Sequence, residues 1–101
     1  MQEITTADVL AAEPGTQIID VRETPELATG MIAGAIHVPM SELATGVDGL
    51  DKSRRVIAVC HAGGRSARVA EALTEIGFNA DTLGGGMSGW EAQGLPMVAP
   101  A

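Results

Sequence analysis

Aromatic residues, basic residues and cysteine are all scarce in this 101-residue chain. Phe78 and Trp90 are the only aromatic side chains, so the core has to be built from Val, Ile, Leu, Ala and Met. Six Lys and Arg stand against 13 Asp and Glu, a net charge of −7. Such a charge argues against nucleic acid and anionic membranes as partners. A lone cysteine, Cys60, excludes an intramolecular disulfide.

Long apolar runs are also missing. No run approaches the ~20 residues that a membrane span requires. Acids and threonines occupy residues 1–10, where a signal peptide would need a basic stretch and then an apolar run. Together with the lone cysteine, these features predict a soluble, cytoplasmic protein. The length predicts one domain over residues 1–101.

Short apolar runs alternate with helical stretches along the chain. Strands are predicted at 17–21, 35–39, 56–60 and 80–83. This alternation predicts an α/β layer fold, with a mostly parallel sheet and helices on both of its faces.

The helices are predicted from their start and stop signals. One begins at Thr5 with Asp8 and ends at 13–15. Others begin at Thr24, with Pro25 at the first helical position, and at Ser41 as a cap. A long helix follows Cys60 and stops at Gly77, with an apolar face of Val69, Ala70, Leu73 and Ile76. A last short helix is expected to place Trp90 in the core.

Residues 60–66, Cys-His-Ala-Gly-Gly-Arg-Ser, join the clearest buried strand to that long helix. Open α/β sheets bind ligands beyond the carboxyl ends of their strands, where Cys60 lies. Gly63 and Gly64 allow the loop to turn its N–H groups inward. The following helix directs its positive end at the same place. The sequence therefore predicts a thiol of lowered pKa at Cys60 and an anion site to which Arg65 adds charge.

Four segments carry a resemblance to rhodanese-homology domains: 20–23, 30–39, 60–66, and 85–90 together with 94–96. The loop meets the family pattern, Cys-x-x-Gly-x-Arg-Ser, in full, and the resemblance covers nearly the whole chain. It implies a three-layer fold with a five-stranded, mostly parallel central sheet. Met31 stands where many relatives have His, and Ala33 replaces the usual Pro; we expect a structural effect there and no loss of activity.

The resemblance implies transfer of sulfane sulfur through a persulfide on Cys60. The donor would be a small anion such as thiosulfate, and the acceptor cyanide, a small thiol or a thiol of a partner protein. No metal or organic cofactor is expected. The loop that binds substrate and persulfide would consist of His61, Ala62, Gly63, Gly64, Arg65 and Ser66. Ser66 is also expected to cap the following helix.

Asp20 and Arg22 have two interpretations. On the family topology they follow the strand beside the one that delivers Cys60. Arg22 could attract an anionic donor while Asp20 orients the loop, or the two could form a structural ion pair, which is favoured because such networks are common. His61 is given no role as a base, and His37 is interpreted as a core or edge histidine. The two histidines and Cys60 are too dispersed in the sequence to predict a metal site.

Two other functions compete with sulfur transfer. Dual-specificity phosphatases of the cell cycle share the fold, so a cysteine phosphatase or arsenate reductase is the enzymatic alternative. Cys60 to Arg65 spans six residues, whereas the corresponding phosphatase loop has seven, and the smaller ring suits sulfur better than a tetrahedral oxyanion. The remaining alternative is a non-catalytic interaction module, but inactive relatives usually lack the cysteine.

Overall fold

A five-stranded sheet forms the centre of the molecule, with the strand order β1-β5-β4-β2-β3 and parallel pairing throughout. A computed structural model describes residues 1–100 of the chain. The strands are β1 (Glu3–Ile4), β2 (Gln17–Asp20), β3 (Ile36–His37), β4 (Val56–Val59) and β5 (Ala80–Leu83). The predicted fold class, an α/β fold around a five-stranded parallel sheet, is confirmed.

The helices are short apart from one. The α-helices are α1 (Thr6–Leu10), α2 (Leu43–Gly46), α3 (Gly64–Glu75) and α4 (Gly86–Ala92), and 3₁₀ helices cover Thr24–Thr29, Met40–Glu42 and Val47–Gly49. Within residues 1–100, no helix combines the length and the apolar character needed to cross a membrane.

Alternation along β4 divides the core into two layers. Val56, Ala58 and Cys60 face one side of the sheet, where they pack in a cluster with α3 residues Val69, Ala70 and Leu73. Ile57 and Val59 face the other side and pack in a cluster of Ile4, Val9, Ile32, Leu83, Met87 and Trp90. Helices therefore cover both faces, and the prediction that Trp90 lies in the core is confirmed by its 2% exposure.

The first helix begins where the sequence predicts. The Thr5 hydroxyl accepts the Asp8 N–H at 3.2 Å, and the Asp8 carboxylate accepts the Thr5 N–H at 2.9 Å. This reciprocal pair satisfies two N–H groups that have no partner inside the helix. The helix ends at Leu10, slightly before the turn at 13–15 that was expected to end it.

The connection between β2 and β4 differs from its prediction. The stretch after Thr24 is a 3₁₀ helix in which Pro25 takes the second position. Strand β3 is only two residues long because it is an edge strand and because Pro39 has no N–H for a ladder. Ser41 caps no helix: its hydroxyl donates to the Glu23 carboxylate at 2.7 Å.

The end of α3 is also slightly displaced from its prediction. The helix ends at Glu75, and Ile76 is the capping residue after it. Ile76 is therefore 50% exposed and does not belong to the buried face of α3. Gly77, with a φ of +101°, stops the helix as predicted.

Candidate active site

The Cys60 sulfur lies between the end of β4 and the first turn of α3. Its Sγ accepts the backbone N–H groups of Gly63 at 3.1 Å and Ser66 at 3.4 Å. The thiol donates to the Ser66 hydroxyl at 3.3 Å. Cys60 is only 1% exposed. A thiolate here would be held by N–H dipoles at the positive end of a 12-residue helix.

Gly63 gives the loop its shape. It is the N-cap of α3, with φ of +109° and ψ of −14°, and any residue with a Cβ would be strained in that conformation. Gly64, in contrast, is the first residue of α3 and has no positive φ. The prediction that both glycines curl the loop is thus right for Gly63 and wrong for Gly64.

Ser66 is the third residue of α3 and does not cap it, contrary to the prediction. Its hydroxyl bonds instead to the Gly63 carbonyl at 3.3 Å and to the Thr82 hydroxyl at 2.7 Å. Both side chains are buried, with Thr82 in β5. Thr82 is a site residue that could not be identified from the sequence, because the neighbouring Asp81 is also a polar residue in this buried strand.

The surroundings of Cys60 lower the pKa of its thiol. Burial alone raises that pKa. It is outweighed by the hydrogen bonds that the thiolate, unlike the thiol, accepts from the Ser66 hydroxyl, together with those from the N–H groups of Ser66, Gly63 and Ala62. The thiolate, which is the nucleophilic form, is therefore more abundant near neutral pH than for an ordinary cysteine.

We expect Ser66→Ala to raise the pKa of Cys60, because the variant loses the hydroxyl that stabilises the thiolate. The measurement is a pH titration of the ultraviolet absorbance of the thiolate, which is favoured by the absence of tyrosine from the chain. Ser88→Ala, which alters an exposed serine, is the matched control. An unchanged midpoint in Ser66→Ala would contradict the assigned contribution of the hydroxyl.

The amino end of α4 fixes the backbone of the loop. The Met87 N–H donates to the Cys60 carbonyl at 2.8 Å, and the Ser88 N–H donates to the His61 carbonyl at 2.9 Å. Gly86, with φ of +55°, passes so close that a Cβ would collide with the carbonyl oxygens of Cys60 and His61. A glycine is thus required at the point where α4 meets the loop.

Arg65 is bound to a carboxylate. Its guanidinium donates to both Glu26 oxygens, at 2.6 and 2.7 Å, and the two side chains are about one-third exposed. The pair lowers the pKa of Glu26 to about 2 and raises that of Arg65. The charge expected to serve a substrate anion is therefore offset within the protein. Glu26 follows Pro25 at the predicted helix start, and no local signal connects it with Arg65.

Asp20 and Arg22 form a buried ion pair with 0% and 2% side-chain exposure. Arg22 donates to the Asp20 carboxylate through Nε and Nη2, with a shortest distance of 2.8 Å. Its remaining donors reach the carbonyls of Glu26 at 3.2 Å and Gly30 at 2.8 Å. This geometry agrees with the structural interpretation, because the guanidinium is occupied by partners within the chain.

The two histidines lie apart. His61 is exposed beside Cys60, whereas the half-buried His37 ring has its Nε2 2.7 Å from the Arg22 carbonyl.

Met31, the departure from the family pattern, is 6% exposed and exchanges two backbone hydrogen bonds with Val98.

A cavity of about 300 Å³ opens beside the loop. It is lined by Arg22, Glu26, Thr29, His61 and Glu91. Since Arg22 is buried in its ion pair, the exposed ionisable groups of this cavity include two carboxylates. The cavity adjoins the loop through His61, the residue that follows Cys60.

The site thus consists of a buried thiol of lowered pKa that accepts backbone N–H groups at the carboxyl end of a parallel sheet. The Rhodanese-like domain family matches residues 5–93, and the chain belongs to that family. It is 36% identical over 99 residues to YtwF of Bacillus subtilis, a provisionally named sulfurtransferase, covering 95% of this chain and 96% of that one.

Two further proteins are similar to this chain over most of their length. The thiosulfate sulfurtransferase GlpE of Actinobacillus pleuropneumoniae serotype 3 is 30% identical over 89 residues, which cover 87% of this chain and 82% of GlpE. The crystal structure of a rhodanese-related protein from Thermoplasma volcanium superposes with a TM-score of 0.92 at 33% identity, covering 99% of this chain and 100% of that one. Both the YtwF and the GlpE proteins, which are named as sulfurtransferases, are thus similar to this chain over most of their length.

Proposed function

We propose that this protein is a sulfurtransferase that moves sulfane sulfur from a small anionic donor such as thiosulfate to a thiophilic acceptor. The acceptor is cyanide, a small thiol or a thiol of a partner protein. The observation that carries the proposal is the Cys60 sulfur, held by the N–H groups of Gly63 and Ser66 at the head of α3. Similarity to a thiosulfate sulfurtransferase supports the choice of donor.

The proposed reaction is a double displacement. The Cys60 thiolate attacks the outer sulfur of thiosulfate; a new S–S bond forms, and the bond to the sulfonate sulfur breaks with release of sulfite. The terminal sulfur of the persulfide stays near the N–H groups of the loop, which stabilise its negative charge. An acceptor thiolate then attacks this terminal sulfur, and Cys60 leaves as a thiolate. Neither half-reaction needs a metal or an organic cofactor.

We place this activity in a single domain acting in a reducing, cytoplasmic compartment. Support comes from the lone cysteine, which is free. The proposed cycle needs Cys60 as a reduced thiol at every turnover, and thiols stay reduced in the cytoplasm.

The direct test is intact mass after incubation with thiosulfate, followed by addition of cyanide. We expect a gain of about one sulfur atom on Cys60, as for a persulfide formed at an activated thiolate, and its removal by cyanide. A folded, reduced sample that gains no mass would contradict the proposal. A phosphatase or arsenate reductase assay and a binding screen for a docking role would then distinguish the two alternatives.

Arg65 is expected to favour the anionic donor. In Arg65→Met the loop loses a positive charge and the carboxylate of Glu26 beside it loses its partner, so the KM for thiosulfate should rise about tenfold. The double variant Arg65→Met/Glu26→Gln separates two causes by steady-state kinetics. If the KM of the double variant returns to the parent value, Arg65 acts by compensating the charge of Glu26. If it does not, Arg65 contacts the donor. An unchanged KM in the single variant would contradict any role of Arg65 in donor binding.

A further inference from the structure

The cavity beside the loop has a negative charge on its wall that no basic residue compensates. Of its lining residues, Arg22 is neutralised by Asp20 inside the protein. Glu26 is neutralised by Arg65, which occupies both of its carboxylate oxygens. The pKa of Glu26 at about 2 means that this pair stays fully charged, and therefore mutually compensated, over the physiological pH range.

Glu91 is the exception. It is exposed on α4, lines the same cavity as His61, and takes part in none of the three ion pairs found among residues 1–100. Its position is well defined, because the first turn of α4 is bound to the carbonyls of Cys60 and His61. Glu91 lies one helical turn further on, where its side chain reaches the cavity.

Other basic residues do not supply compensation inside this cavity. Arg55 pairs with Asp81, Arg54 binds the Gly15 carbonyl and Lys52 lies over the Phe78 ring. The exposed Arg68 lies on α3, three residues beyond Arg65, and is not among the residues that line the cavity. The charge that a substrate meets at the cavity wall is therefore that of Glu91, within a chain of net charge −7.

We propose that Glu91 is a specificity-determining residue of the sulfur-transfer reaction, which favours acceptor thiols that carry positive charge next to the sulfur. The inference rests on the proposed function, since it concerns the second half-reaction. There the acceptor thiolate forms a bond to the terminal sulfur of the Cys60 persulfide and the S–S bond to Cys60 breaks. The electron pair of that bond stays on Cys60 as a thiolate, and the acceptor carries the transferred sulfur as its own persulfide.

The charge of the acceptor matters at this step because the attacking group is itself an anion. A thiolate with no neighbouring cation is repelled both by Glu91 and by the net charge, whereas an adjacent ammonium or guanidinium group is attracted by the same carboxylate. The preferred acceptor is thus a small aminothiol or a cysteine flanked by Lys or Arg in a polypeptide. Both acceptors present a thiolate beside a positive charge, and they differ in size.

The test is a single-turnover discharge of protein loaded with persulfide by thiosulfate. Loss of the added sulfur mass is followed with three blocked tripeptides, Lys-Cys-Lys, Ala-Cys-Ala and Glu-Cys-Glu, and with cysteamine as the small cationic thiol. Each rate is divided by the rate of the same thiol with a neutral small disulfide, which removes differences in thiolate content. At low ionic strength we expect the lysine peptide to exceed the glutamate peptide by about tenfold, a preference that salt reduces.

Variants at Glu91 identify the source of the preference. Glu91→Gln should reduce it about threefold and Glu91→Lys should abolish or reverse it. Glu75→Lys makes the same change of net charge at the far end of α3, about 16 Å from its first residue, and should leave the preference nearly unchanged. Comparison of cysteamine with the lysine peptide distinguishes a small acceptor from a polypeptide one.

Three results would overturn the inference. The peptides could react at equal normalised rates, the preference could survive in Glu91→Lys, or Glu75→Lys could shift it as much as Glu91→Lys does. All three results require protein that accepts sulfur from thiosulfate and passes it to a thiol, so none of them would contradict the proposed function. Failure to load any sulfur would instead overturn the proposed function, and this inference with it.

Discussion

Cys60→Ser loses sulfur transfer altogether while the protein stays folded. A serine hydroxyl is not ionised near neutral pH and forms no persulfide, so we expect a fall in activity of about 10⁴-fold or more, as when the nucleophile of a covalent mechanism is removed. The readouts are the rate of thiosulfate-dependent thiocyanate formation and the intact mass after exposure to thiosulfate. The mass should not increase.

Stability of this variant is expected to change little, because the smaller hydroxyl still accepts the N–H groups that now reach the sulfur from Gly63 and Ser66. Thermal melts of the parent and the variant provide that control. A variant that transfers sulfur at near the parent rate, or that gains sulfur mass, would contradict the mechanism. A variant that unfolds would be replaced by Cys60→Ala in the same two assays.

Arg22→Met should produce the largest loss of stability. It leaves the Asp20 carboxylate buried without its counter-charge and the Gly30 carbonyl without the guanidinium donor, whereas the Glu26 carbonyl keeps the Thr29 hydroxyl. Breaking one side of a buried ion pair costs about 3–5 kcal/mol. For a domain of this size, such a loss lowers Tm by roughly 15–30 °C. Chemical denaturation and thermal melts measure it directly.

Two further variants show whether the loss of stability comes from breaking the buried ion pair. Arg55→Met breaks the pair with Asp81, whose arginine side chain is 32% exposed, and should cost much less. Asp20→Asn/Arg22→Met removes both charges and should recover part of the loss. If Arg22→Met were as stable as Arg55→Met, the structural interpretation of the buried pair would be wrong. A raised KM for thiosulfate in the folded variant would favour the donor-attracting role of Arg22.

Much of the fold was predictable because its signals are local. The apolar run 56–59 is buried on both faces as predicted, Thr5 and Asp8 mark a helix start, and Gly77 marks a helix end. The loop 60–66 could also be located, since a strand, a glycine turn and a helix follow each other in the sequence. Its membership of a known family follows from the same residues together with the match over 5–93.

The partners of the loop could not be predicted in this way. Glu26 meets Arg65 across 39 positions of sequence, and Ser66 meets Thr82 across 16. No local pattern specifies such a pair, because the sheet order decides which segments meet. The type of a short element could not be predicted either: a helix does begin at Thr24, but the periodicity of so few residues does not separate a 3₁₀ helix from an α-helix.

The attachment of α4 to the cysteine loop has a consequence for the newly made chain. The ribosome completes Cys60 before it makes β5, which lies between β1 and β4 in the sheet, and before the residues that bind the Cys60 and His61 carbonyls. A helix of 12 residues such as α3 is marginal in isolation. We therefore expect the N–H groups of residues 62–66 to hold the thiolate firmly only once β5 and α4 have folded against the loop.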